Sequence, residues 1–144
     1  MKADAKNKLR SRKKVKHILK KKNFFQSGIF TWTAVIAYAL LIFFFSSRPA
    51  LPEIFNFFHG QDKLAHLLEY ALLGWLLIRA FKYSAKFSLV NAVSAAVIIS
   101  LLYGLSDELH QAFVPLRQCD FYDFLADALG AFIPAVITLI RQRE

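Results

Sequence analysis

The sequence predicts an all-α fold: a polytopic membrane bundle of four transmembrane helices, preceded by a disordered or surface-lying basic N-terminal tail. Three observations predict it. Hydrophobic residues make up 56% of the 144 residues and the mean hydropathy is +0.37, too apolar for a water-soluble chain of single-domain size. Four segments are long and apolar enough to cross a bilayer, which takes about 20 residues. The cations are segregated: residues 1–22 hold eleven Lys and Arg against one Asp, while 23–144 hold eight against nine Asp and Glu. The net charge of +9 therefore belongs to the tail. The chain divides into a basic cytoplasmic tail, 1–22, and a transmembrane domain, 23–144.

Each element can be justified in order. The tail, "KNKLRSRKKVKHILKKK", has none of the interleaved aromatic rings on which bases stack, so nucleic acid is not expected as a partner. Beside a bilayer such a run reinforces topology and touches anionic headgroups, at about 1 kcal/mol per cation. The first helix runs from Gly28 to Phe45 and contains the uncharged "TAVIAYALLIFFF". A signal peptide is the rival reading. The apolar run is too long for one and "FFFSSRPALPE" lacks a small-residue cleavage site, so a retained helix is expected. In "LPEIFNFFHG", Phe55, Phe57, Phe58 and His59 suit an amphipathic segment lying at the interface, where aromatics anchor.

The second helix is expected over Asp62–Phe81, the third from Phe87 to about Leu105, and the fourth over Phe121–Ile140. Helices are the default in lipid because every backbone N–H and C=O must be paired within the segment. Pro134 should kink the fourth helix and free the carbonyl of Gly130. Gly74, Gly104 and Gly130 suit close packing between helices.

Orientation follows from the excess of Lys and Arg on cytoplasmic loops and tails. The tail, the short loop with Arg79, Lys82 and Lys86, and the C-terminus with Arg141 and Arg143 alternate as one side. Arg48, Lys63 and Arg117 fall on the other. A multi-pass protein of the bacterial cytoplasmic membrane with both termini cytoplasmic is expected, with the lipid bilayer as its surroundings.

Nearly all acids of the body then lie at the outward ends of the helices. Asp62, His66 and Glu69 are spaced four and three apart and share a face. Asp107, His110 and Gln111 share another, with Glu108 about 100° away. Asp120, Asp123 and Asp127 form a stripe on the fourth helix that continues through Gly130 and Pro134. Glu69 and Asp127 should sit roughly 10 Å in from the outer helix ends, where ionisable groups are costly and point to function. Seven acids there (Asp62, Glu69, Asp107, Glu108, Asp120, Asp123 and Asp127) face only Lys63 and Arg117, an imbalance to be relieved by protonation, hydrogen bonds or a bound cation. The plain alternative is that such groups merely clamp helices together, at about 1 kcal/mol or less each. That reading fits Tyr70, Tyr103 and Gln111.

Chemistry narrows by exclusion. The sequence has no phosphate-binding glycine loop, no cysteine pair and no serine in a nucleophile elbow. Cys119 is alone. What remains is His66-x-x-Glu69 and Asp107-x-x-His110 facing Asp123 and Asp127, and helix-borne carboxylate and histidine ligands can hold a divalent metal in a bundle core. His66, Glu69, Asp107, His110, Asp123 and Asp127 are the metal candidates. Arg117 could fork onto a phosphate or carboxylate, and structural neutralisation of Asp123 is the preferred reading.

"DKLAHLLEYALLG" (62–74), "YGLSDELHQAFVPLR" (103–117) and "DFLADALGA" (123–131) resemble the three signatures of the VanZ-like family of small bacterial membrane proteins. The resemblance spans most of residues 40–131. Asp62, Lys63, His66, Glu69 and Tyr70 match the first signature. Asp107, Glu108, Gln111, Pro115 and Arg117 match the second, and Asp123, Asp127 and Gly130 the third. The loop departs from the pattern: relatives tend to have a small residue before the arginine and Gly/Ser-rich residues after it, where this chain has Leu116, Gln118, Cys119 and Asp120. The namesake's link to resistance against the glycopeptide antibiotic teicoplanin implies a cell-envelope role bearing on antibiotic resistance. Two classes stay open. One is a protein that binds a cell-wall precursor or lipid-linked ligand through Asp62, Lys63, His66, Tyr70, Asp107, Glu108, Gln111, Arg117 and Asp123. The other is a membrane-embedded enzyme acting on an amphiphilic substrate, with Glu69 or Asp127 as general acid/base.

Overall fold

Helices that meet in lipid gain little from hydrophobic exclusion, so they associate where small residues let backbones approach. The computed structural model describes residues 28–49 and 60–142 and shows where that approach occurs. The basic tail 1–22 and the segment with Phe55, Phe57, Phe58 and His59 lie outside the described residues. Among the described residues, four helices are long and apolar enough to span a membrane: α1 (Gly28–Ser46), α2 (Gln61–Arg79, continued by a π-helical turn, Ala80–Ser84), α3 (Leu89–Gln111) and α4 (Phe121–Ile140). No strand occurs among the described residues.

The helices alternate in direction. Trp32 near the start of α1 meets Phe81 at the end of α2 edge-to-face, with centroids 5.2 Å apart. At the other end Ser47 Oγ lies 3.0 Å from His110 Nε2 near the end of α3. Lys63 at the start of α2 reaches Asp123 at the start of α4. One end of the bundle thus gathers the end of α1, the start of α2, the end of α3 and the start of α4.

α2 and α4 form the tightest pair. A Cβ on Gly130 would lie 2.3 Å from the Leu67 carbonyl oxygen, and one on Gly74 would lie 3.2 Å from Pro134 Cγ. α4 is continuous through Pro134, whose ring fills the space beside Gly74. α3 closes the core with a stripe at every fourth position: Ala92, Ala96, Ser100 and Gly104 are all buried. Tyr70, Leu73, Leu77 and Ile78 of α2 and Ala131 and Ala135 of α4 complete it. Outside this seam the large apolar residues are exposed, among them Leu40, Phe44, Val90, Leu102 and Ile140. A bilayer is the solvent that suits such a surface.

The helix ends differ from the sequence-based boundaries in one respect that matters for function. α3 starts two residues later than expected, where the Ser88 side chain accepts a hydrogen bond from the Asn91 N–H at 3.2 Å. It also runs six residues past Leu105, so Asp107, Glu108 and Gln111 are helical and buried. The polar run keeps helical because one side of it still faces α2 and α4.

Gly130→Ala should lower the thermal midpoint of the detergent-solubilised protein, by about 1–3 kcal/mol of stability as for other overpacked cores. The added methyl meets backbone and has nowhere to go. Gly28→Ala meets the Ser84 side chain, its hydroxyl foremost, which can move, and should shift the midpoint much less.

Candidate functional site

The gathered end of the bundle is organised around two basic side chains of α2. Lys63, in the first turn of the helix, is half-buried. Its Nζ lies 2.9 Å from Asp120 Oδ2, 2.9 Å from Asp123 Oδ1 and 3.2 Å from Asp62 Oδ2. It therefore bridges α2 to the start of α4. Asp120 is the N-cap of α4, accepting from the Tyr122 N–H at 2.8 Å. Its own backbone N–H donates to Glu108 Oε2 at 2.9 Å, which ties α3 to the same junction. The Lys63 ammonium, with the Tyr122 N–H, holds the Asp120 carboxyl below the usual carboxylate range.

Three residues further along α2, His66 is buried and its Nδ1 lies 2.9 Å from Asp127 Oδ1. Glu108 Oε1 approaches the same nitrogen at 4.0 Å. Asp127 is 0% exposed and Glu108 2%. Ligand atoms of His66, Glu108 and Asp127 all lie within 4.8 Å of one another. Each carboxylate has one oxygen bonded and one left over: Asp127 Oδ2 and Glu108 Oε1 have no hydrogen-bond partner, nor has the buried Tyr70 hydroxyl. Buried polar groups are normally paired, so these three oxygens mark an incomplete site. Gly104 lets it form, because a Cβ there would lie 2.9 Å from Asp127 Oδ2.

The structure brings together some of the residues singled out by sequence and separates others. His66, Glu108 and Asp127 form the inner cluster; Lys63, Asp62, Asp120 and Asp123 form the outer one. Asp107 is buried beside them and accepts from Gln111 Nε2 at 3.2 Å within α3. Glu69 is half-buried, makes no hydrogen bond, and lies within electrostatic reach of His66, Asp107, Asp127 and Arg117.

Four expectations are corrected. His110 does not join the acids: it stacks on Phe43, with ring centroids 4.7 Å apart, and contacts Ser47. Glu108 takes its place, because 100° from Asp107 still points between α2 and α4 when both pack against α3. Arg117 does not neutralise Asp123; its Nε donates to the Arg48 carbonyl at 3.2 Å, and Lys63 holds Asp123 instead. Tyr70 and Gln111 are not interhelical clamps, since one hydroxyl is unpartnered and the other side chain bonds within α3. Tyr103 is one, donating to the Ala39 carbonyl at 2.6 Å. The role of Lys63 had a signal in the sequence. It lies seven residues before Tyr70, and so on the same helix face as the buried Tyr70 and Leu77.

A groove at the opposite end, lined by Trp75, Lys82, Pro134, Ile137 and Arg141 among others, does not reach these residues. The molecule is thus defined as a four-helix membrane protein with a buried, acid-rich polar cluster at one end of the bundle. It belongs to the VanZ-like family: the VanZ/LLP1 family model matches residues 9–142, nearly the whole chain. No curated protein and no solved structure matches it.

Lys63→Met should destabilise the bundle more than Asp62→Asn, which loses only an exposed pair and should stay within about 0.5 kcal/mol. The pH dependence has a definite sign. A carboxyl held low in the fold stabilises fully above its unfolded pKa of about 3.9 and loses that contribution as pH falls through the lower folded value. Thermal unfolding should therefore show an acid-side loss of stability that is smaller in Lys63→Met.

Proposed function

We propose that this protein resides in the bacterial cytoplasmic membrane with both termini cytoplasmic, and that its polar end faces outward. There it binds a component of the cell envelope, a cell-wall precursor or lipid-linked molecule, and so influences sensitivity to glycopeptide antibiotics such as teicoplanin. The observation that carries the reading is the set of unpartnered, buried carboxylate oxygens on Asp127 and Glu108, directly beneath the charged rim of Lys63, Asp62 and Asp120. Structural clamps would be satisfied; these groups await a donor or a cation. The rim offers an ammonium and carboxylates to a polar headgroup, while the exposed apolar flanks suit the ligand's lipid portion. The orientation rests on the alternation of cation-rich segments.

A second reading, a membrane-embedded enzyme, draws on the buried His66–Asp127 pair. An imidazole oriented by a carboxylate is the arrangement used for general-base chemistry, and Glu69, free of hydrogen bonds, is placed for acid/base work.

Two experiments test these proposals. Exposed Cys119 should react with a membrane-impermeant thiol reagent in intact cells; labelling only after permeabilisation would reverse the orientation. Glu69→Gln and Asp127→Asn keep size and most hydrogen-bonding capacity but cannot ionise. Each should abolish the effect on teicoplanin sensitivity while leaving expression and thermal midpoint nearly unchanged. Retained antibiotic effect in both variants would reduce the cluster to scaffold.

A further inference from the structure

We infer that His66 Nδ1, Glu108 and Asp127 form a binding site for a divalent transition-metal ion of the zinc class. This deepens the envelope-ligand reading and rests on it for its biological setting.

The geometry comes first. Around a tetrahedral zinc with bonds of about 2.0–2.1 Å, neighbouring ligand atoms lie roughly 3.3 Å apart. Here His66 Nδ1 is 2.9 Å from Asp127 Oδ1 and 4.0 Å from Glu108 Oε1, values that bracket that edge. No pair of ligand atoms in the trio exceeds 4.8 Å, so side-chain adjustment without backbone movement can close the set. The three residues come from three different helices, each backed by close packing: α4 by Gly130 against Leu67, and α3 by Gly104 against Asp127.

The unpaired atoms come second. Asp127 Oδ2 and Glu108 Oε1 are buried acceptors without donors, on side chains 0% and 2% exposed. The other oxygen of Glu108 is already fixed by the Asp120 N–H, which orients that carboxylate as outer partners orient metal ligands.

Charge comes third. Two buried carboxylates face a single imidazole here, an excess of acceptors that a divalent ion balances in charge. One imidazole with two carboxylates suits zinc, manganese or iron better than calcium or magnesium, which prefer oxygen donors alone. Three protein ligands leave a coordination position for water or for an anionic group of an envelope ligand.

The test uses the full-length protein in detergent, stripped with chelator and then titrated with Zn²⁺ and with Co²⁺. The expected result is one metal per chain by elemental analysis, with a rise in thermal midpoint on binding. Glu108→Gln and Asp127→Asn should weaken binding on the order of tenfold or more, the scale known even for changes outside the ligand set. His110→Ala and Cys119→Ser should leave it unchanged. The Co²⁺ absorption spectrum of the unmodified protein provides a readout that does not need the variants to fold. Low-coordinate nitrogen and oxygen ligation supports the site, whereas a thiolate-to-cobalt band, or binding lost in Cys119→Ser, overturns it. Failure of the folded wild-type protein to take up stoichiometric metal also overturns it. Co-purification of envelope lipids, measured separately with chelator present, shows whether the broader ligand reading stands without the metal.

Discussion

Everything at the polar end depends on how closely α2 and α4 approach. Gly130 sits where even a methyl group would strike the Leu67 carbonyl. His66 precedes Leu67 by one residue and Asp127 precedes Gly130 by three, so the same contact that seats the helices sets imidazole against carboxylate at 2.9 Å. In water an ion pair of this kind would be optional. In a bilayer neither partner has an alternative, and the cost of burying either alone is large. The contact that packs α2 on α4 therefore also sets the geometry of the site.

Two layers of charge follow from depth. In the outer layer Lys63 gathers the accessible Asp62 and Asp120 and the buried Asp123, and water can relieve what pairing leaves over on the first two. The inner layer is closed, with one imidazole for two carboxylates. Glu108 belongs to both, accepting from the Asp120 N–H on one oxygen and offering the other inward. It is the residue through which rim and interior communicate, and through it the cap of α4 is coupled to the buried trio.

The loop between α3 and α4 shows what the chain tolerates to keep this arrangement. Leu116 adopts φ 63 with its side chain 81% exposed, a left-handed conformation that costs a non-glycine residue about 1 kcal/mol or more. A glycine at this position would adopt that conformation without the cost. The turn holds because Arg117 N–H donates to the Val114 carbonyl and Arg117 Nε to the Arg48 carbonyl. Arg117 thus ties this loop to the segment after α1.

How much of this was legible in the sequence depends on which physical rule governed each residue. Hydropathy and cation segregation revealed four spans because lipid imposes them on composition. The acids and His66 were recognisable as a cluster because cost at depth is also a matter of position along a helix. The partner of each acid was not, since pairing depends on rotation between helices, which a single helical wheel does not contain. Glu108 illustrates the gap. Judged against Asp107 alone it points away, yet the small residues Ala92, Ala96, Ser100 and Gly104, all buried at spacings of four, extrapolate directly to position 108. That stripe marks the buried face of α3 independently of any acid, and extending it would have put Glu108 inside and His110 at the flank. Lys63 yields to the same reasoning through Tyr70 and Leu77. For the seam of a membrane bundle, the small and buried residues are thus a better guide to which polar groups converge than the spacing of the polar groups themselves.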